Sequence, residues 1–164
     1  MTNKTLQYLI YNQLYSASMY ELLALQAPTK ILENQMKLFQ EETLNNASYL
    51  DRYYQELNTS SYHPIIQEPV DQGSFKKNIY WMLEYESSST KLFCNESYNA
   101  NNDEKIKTLT SYISSSIVQR NTKLTNIYIN ILDEEIKKTP PKWCNWQMVT
   151  RTGFEPVNAC VKGM

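Results

Sequence analysis

An all-α fold of four helices is the architecture this sequence predicts, and three observations carry it. The chain has 164 residues but only three glycines, and two of those, Gly153 and Gly163, fall in its last dozen positions. Apolar residues recur every three or four positions instead of alternating with polar ones, which is the period of a helix and not of a strand. The breaks in that recurrence coincide with turn-forming residues: Pro28, the stretch 58–73 and the stretch 99–103.

Each element follows from its own pattern. A first helix over about 5–26 places Leu6, Leu9, Ile10, Gln13, Ala17, Tyr20 and Ala24 on one stripe. It stops before Pro28, because a residue preceding proline is pushed out of helical geometry. A second helix over 29–57 repeats the stripe with Leu32, Gln35, Phe39, Glu42, Asn46, Tyr49 and Tyr53. Ser74 is placed to cap a third helix over 75–98, whose inner face runs through Phe75, Ile79, Met82, Glu86, Ser89 and Phe93. Asp103 is placed to cap a fourth, carrying Ile106, Leu109, Ile113, Ile117, Leu124, Ile127 and Ile131 to about Lys138. Short links make two antiparallel hairpins, and the long middle connection is long enough to cross the bundle from end to end.

Composition narrows the function classes. The charges nearly cancel to −1 and form no basic stripe, so nothing attracts nucleic acid. No apolar run approaches a membrane span, and no leader-like start is present, so a cytoplasmic protein is expected. Cys94, Cys144 and Cys160 show no metal-site spacing, and Cys94, beside Leu92 and Phe93, is expected to be a buried thiol. A single histidine, His63, leaves little acid–base or transition-metal chemistry near neutral pH. Tyr20, Tyr49, Tyr53 and Tyr112 are expected to bury their rings with hydroxyls at the rim. The serine runs 87–89 and 114–116 are expected to let helices approach closely.

Residues 1–138 are therefore assigned to the bundle, and 139–164 to an atypical tail outside its core. The body holds only two arginines, Arg52 and Arg120, whereas the tail has Trp143, Trp146, Cys144 and Cys160 but no Ile or Leu. Its Gly153-Phe154-Glu155-Pro156 is what a GG-N-TTC-GAA-CC stretch encodes. The tail resembles translation through an antisense transfer-RNA gene.

The helices resemble the ferritin-like, rubrerythrin-type proteins over about residues 5–132. Gln13…Ala17…Tyr20…Ala27-Pro28 follows that family's Glu…Ala…Tyr…Ala-Pro. Phe39-Gln-Glu-Glu-Thr-Leu-Asn45 follows Phe-x-x-Asp-Glu-x-x-His, and Leu83-Glu-Tyr-Glu86 with Ser89 and Phe93 follows Leu-x-Asp-Glu-x-x-Ala-x-x-x-Tyr. On the fourth helix Val118-Gln-Arg-Asn121, then Leu124 and Tyr128, stand where the family has Glu-x-x-His, Leu and Tyr. The resemblance implies a di-iron or di-manganese centre built from two Glu and two Glu-x-x-His pairs.

Carried over position by position, those ligands become Gln13, Glu42 with Asn45, Glu86, and Val118 with Asn121. Only two carboxylates survive and both histidines are gone. No metal cofactor is expected, beyond at most one weakly held divalent cation at Glu42 and Glu86. The expected substitute is a polar core network of Gln13, Glu42, Asn45, Glu86 and Asn121 that fixes helix register. The function this implies is non-catalytic: assembly or interaction through protein partners or self-association, as in spore-coat relatives of the fold, with no nucleic acid or membrane. The alternatives are an oxidoreductase or metal carrier with an altered oxygen-rich site, and a small-molecule binder using a void between Gln13, Glu86 and Val118.

Overall fold

A computed structural model describes residues 2–100 and 103–138. It has four α-helices: α1 (Asn3–Gln26), α2 (Lys30–Asn58), α3 (Phe75–Asn99) and α4 (Glu104–Lys138). Among the described residues there is no strand, and no helix is long and apolar enough to cross a membrane. The chain divides into two compact units, Met1–Tyr128 and one beginning at Ile129. The tail residues Trp143, Cys144, Trp146, Gly153–Pro156 and Cys160 lie outside the described residues.

Local chemistry sets the helix starts. Thr2, Thr29 and Ser74 have extended backbones, and each side chain accepts the N–H three residues on, satisfying a donor the helix itself leaves open. Asp103 does the same for α4, its carboxylate accepting the Ile106 N–H at 3.1 Å. α1 ends at Ala27, extended ahead of Pro28. α2 ends at Thr59, whose left-handed backbone (φ 58°) returns its N–H to the Gln55 carbonyl.

Side-chain contacts fix the order of the helices. Asn3 with Asn58, Gln7 with Tyr54 and Gln13 with Asn46 pair α1 antiparallel to α2. Asn12 with Ser89 and Gln26 with Asn78 pair α1 antiparallel to α3. α4 runs antiparallel to α3 through Ser97–Ser111 and Cys94–Ser114. It runs antiparallel to α2 through Tyr53–Asp103, Glu56–Lys105 and Glu42–Ser116. Two apolar clusters fill the interior. Leu6, Leu9, Leu50, Phe93, Ile106 and Ile113 belong to one, and Met19, Tyr20, Leu23, Met36, Phe39, Ile79 and Leu124 to the other.

The stripe expected on α1 is buried throughout. On α2 the buried face is turned toward Met36, Thr43, Asn46, Ala47, Leu50 and Tyr54, leaving Tyr49 exposed. Tyr112 is exposed as well and meets Tyr49 edge-on, with 6.4 Å between ring centroids. Tyr20 departs from expectation in the other direction, buried to its hydroxyl. Cys94 is exposed and not buried, because the inward line of α3 passes through Phe93 and the next position turns outward; its Sγ lies 3.0 Å from Ser114 Oγ.

The one glycine in the body has a specific task. Asp71 gathers the entrance to α3: its carboxylate accepts the Gly73 N–H, the Asn78 side-chain amide and the Gln26 amide from α1. That tight turn puts Gly73 at φ 84°, a conformation that favours glycine. Gly73→Ala should therefore cost about 1 kcal/mol in urea denaturation, although open space surrounds the position. The Asn78 amide, the Gly73 N–H and the Gln26 amide hold the Asp71 carboxyl below its ordinary value. A depressed carboxyl stabilises the fold above its unfolded value and loses that contribution as the pH falls through its folded one. Asp71→Asn should lower the thermal midpoint at pH 7, and its difference from the parent should begin to shrink below about pH 4 and vanish only once the pH has fallen through the depressed folded value.

Candidate functional site

The middle of the bundle holds ionic and polar side chains where apolar packing would be expected. All four helices contribute: Tyr20 from α1, Glu42 from α2, Glu86 from α3, and Ser116 and Arg120 from α4. Arg120 and Glu86 are both 0% exposed. An ion cannot be buried so without a partner, since its lost hydration amounts to several kcal/mol.

The partners are in place. Arg120 donates from Nε to Glu86 Oε1 at 3.2 Å and from Nη2 to Oε2 at 3.4 Å, a two-pronged pairing that matches the guanidinium plane to the carboxylate. Its Nη1 donates to Ser116 Oγ at 2.9 Å and lies 3.7 Å from Glu42 Oε2. Ser116 in turn donates its hydroxyl to Glu42 Oε1 at 2.6 Å, so one hydroxyl serves both charges. Tyr20 donates its phenol to Glu86 Oε1 at 2.7 Å. Its ring packs edge-on against Phe39, centroids 5.4 Å apart.

The electrostatics follow from this geometry. Burial pushes the Tyr20 phenol well above its ordinary pKa, and the neighbouring Glu86 carboxylate adds to the shift. Burial alone would weaken the charge on Arg120, but Glu86, Tyr20 and Glu42 together outweigh it, so the guanidinium is held above its usual value. Tyr20 and Arg120 thus act as permanent donors to the two carboxylates, and neither gives up a proton near neutral pH.

One turn further along α2 and α3 lies a chain of amides. Asn46 on α2 donates to Gln13 Oε1 at 3.2 Å, and Gln13 donates to Asn12 Oδ1 at 3.1 Å. Asn12 in turn donates to Ser89 Oγ and to the Tyr85 hydroxyl on α3, each at 2.9 Å. Ser16, next along α1, is the one buried side-chain oxygen among the described residues that has no hydrogen-bond partner.

The five residues singled out from the sequence are thus distributed over several places. Glu42 and Glu86 meet at Arg120. Gln13 belongs to the amide chain and touches neither carboxylate. Asn45 is exposed, with Asn46 inward in its place. Asn121 faces the outer edge and donates to Ser87 Oγ at 3.0 Å, and Val118 is 48% exposed. The apolar stripe expected on α4 is buried at Ile106, Ile113, Ile117 and Leu124, but the ligand positions carried over from the family miss it by one residue, because the buried line runs Ile113, Ser116, Ile117, Arg120, Leu124. Val118 therefore borders no central void, and the guanidinium occupies the space between the carboxylates. Arg120 is the residue that sequence reasoning missed. Its signal was present: an arginine at the spacing of Ile113, Ile117 and Leu124 sits on the apolar stripe. The serine runs are more than spacers, since Ser89 and Ser116 complete the polar chains.

A di-metal centre does not fit this donor set. Both carboxylates already balance a cation, Gln13 is committed to two amides, and a divalent ion between Glu42 and Glu86 would sit beside the guanidinium charge. His63 is exposed in the connection between α2 and α3. Among the described residues, no group of three His, Cys, Asp or Glu side chains could hold a metal ion.

Arg120→Ala should destabilise the bundle by about 3–5 kcal/mol in chemical denaturation, because it leaves the Glu86 carboxylate buried without its cation. Arg120→Met combined with Glu86→Gln should recover most of that loss, since it removes both charges together and keeps an acceptor for Tyr20.

No protein-family model matches this chain, and no curated protein matches it either.

Proposed function

We propose that this chain is a ferritin-like four-helix protein in which an internal guanidinium stands where the family has metal, and that it works without catalysis in assembly or protein interaction. The observation that carries the reading is Arg120 bonded to Glu86 and paired with Glu42, the two positions matching surviving family carboxylates. A guanidinium supplies the compensating charge that a metal would supply, but it cannot change oxidation state or accept a substrate oxygen.

The helix order supports the ferritin-like part of the reading. α1 and α4 each run antiparallel to both α2 and α3, so α2 and α3 are parallel. Asn58, at the end of α2, meets Asn3, while Asn78, early in α3, meets Gln26 at the other end of α1. Residues 59–74 thus link opposite ends, as the long crossover of ferritin-like folds does.

The surface supports the interaction part. Leu25 is 81% exposed and Ile31 80%, with Leu38 further along the outer side of α2. Large apolar side chains left in water favour burial against another protein or a second copy. The reading carries a cytoplasmic or spore-associated location, and an added tail of antisense transfer-RNA origin over 139–164.

The competing reading is a ferritin-like oxidoreductase or metal carrier. Purified full-length protein, incubated with ferrous iron or manganese and then desalted, should retain no stoichiometric metal by elemental analysis. It should consume peroxide no faster than the free ions do. Two tightly held metals per chain, or peroxide turnover that tracks protein concentration, would reverse the assignment.

A further inference from the structure

Away from the bundle centre, α3 and α4 form the walls of a cleft of about 370 Å³, lined by Gln72, Lys76, Lys77, Tyr80, Trp81, Glu84 and Tyr128. That volume lies within the range of about 300–1,000 Å³ typical of small-molecule sites. We propose that this cleft is a saccharide-binding site, taking short β-linked glucose-type or N-acetylglucosamine-type oligosaccharides.

The rings are fixed in advance of any ligand. Trp81 stacks on Tyr85 with centroids 5.2 Å apart and meets Tyr15 edge-on at 6.1 Å. Tyr80 and Tyr128 support each other across the helix pair at 5.8 Å. Lys77, Tyr80, Trp81 and Glu84 share one face of α3 because they are spaced by three and four residues. Gln72 is held over the start of that face, its N–H donating to Asn78 Oδ1 at 2.8 Å. Rings already immobilised on rigid elements lose little entropy when a ligand arrives.

The polar groups are chemically suited to a sugar. The hydroxyls of Tyr80 and Tyr128 and the ring N–H of Trp81 have no hydrogen-bond partner among the described residues. The buried phenol of Tyr20, by contrast, is tied to Glu86, and the Tyr54 hydroxyl accepts from Gln7. Lys77 and Glu84 add one cation and one carboxylate, while Lys76 is already engaged. The balance gives an anion no strong pull, but it presents donors and acceptors around aromatic faces. A pyranose with equatorial hydroxyls offers the complement. Its ring faces carry C–H groups whose positive edge suits the negative face of an aromatic ring, and its rim carries hydroxyls for the side chains of Gln72, Lys77 and Glu84.

The test uses the full chain labelled with nitrogen-15, following the Trp81 indole N–H signal, which is assigned by its loss in Trp81→Phe. Titration with chitotriose and cellotriose should move that signal saturably, with a dissociation constant of about 1 mM for the better ligand. Glu84→Gln and Tyr80→Ala, both at exposed positions that leave the core intact, should each weaken binding several-fold. Absence of a saturable shift with either trisaccharide would overturn the proposal. So would a shift unchanged by both variants, or saturation by adenosine monophosphate with the trisaccharides silent.

Discussion

The pairing of Arg120 with Glu86 is the constraint around which the middle of this bundle is organised. Each charge would be intolerable alone in that position, and each is tolerable because the other meets it in a two-pronged hydrogen-bonded contact. Everything nearby extends that compensation. Tyr20 fills a further acceptor site on Glu86 from α1, and Ser116 links the guanidinium to Glu42 on α2. Because the partners come from all four helices, a shift of any one helix by a turn would strand a buried charge. Apolar packing of Leu, Ile and Met tolerates such slips far better. The cluster's geometry therefore penalises slips of helix register.

The amide chain one turn away carries the same logic without charge. Asn46, Gln13, Asn12 and Ser89 join α2 through α1 to α3, each donor matched to an acceptor. The two polar layers interrupt an interior whose remaining residues are ordinary hydrophobics. At the centre of the bundle stand the permanent donors Arg120 and Tyr20, each bonded to the Glu86 carboxylate.

The four helices were legible because their causes are local. Periodicity, the Ala27-Pro28 stop and the caps at Ser74 and Asp103 act within a few residues, and each is visible in the chain itself. The centre was less legible, since which face of α4 turns inward depends on packing against three other helices. A one-residue difference moves a side chain by 100° around a helix, enough to exchange Asn121 for Arg120. Pattern matching to Glu-x-x-His directed attention to Val118 and Asn121. The apolar spacing of Ile113, Ile117 and Leu124 pointed instead to Arg120. Glu42 and Glu86 were found from the pattern, but their partner was missed although its position on the apolar stripe marked it. The same rotation explains Asn45, which points outward while Asn46 enters the amide chain.

The most direct test of this account is a crystal structure of the full chain at atomic resolution, with anomalous scattering recorded at the iron and manganese edges from crystals grown with both ions. The account predicts planar guanidinium density spanning Glu86 and Glu42, with no anomalous peak between them. A pair of anomalous peaks bridged by those carboxylates, with the Arg120 side chain displaced outward, would contradict it.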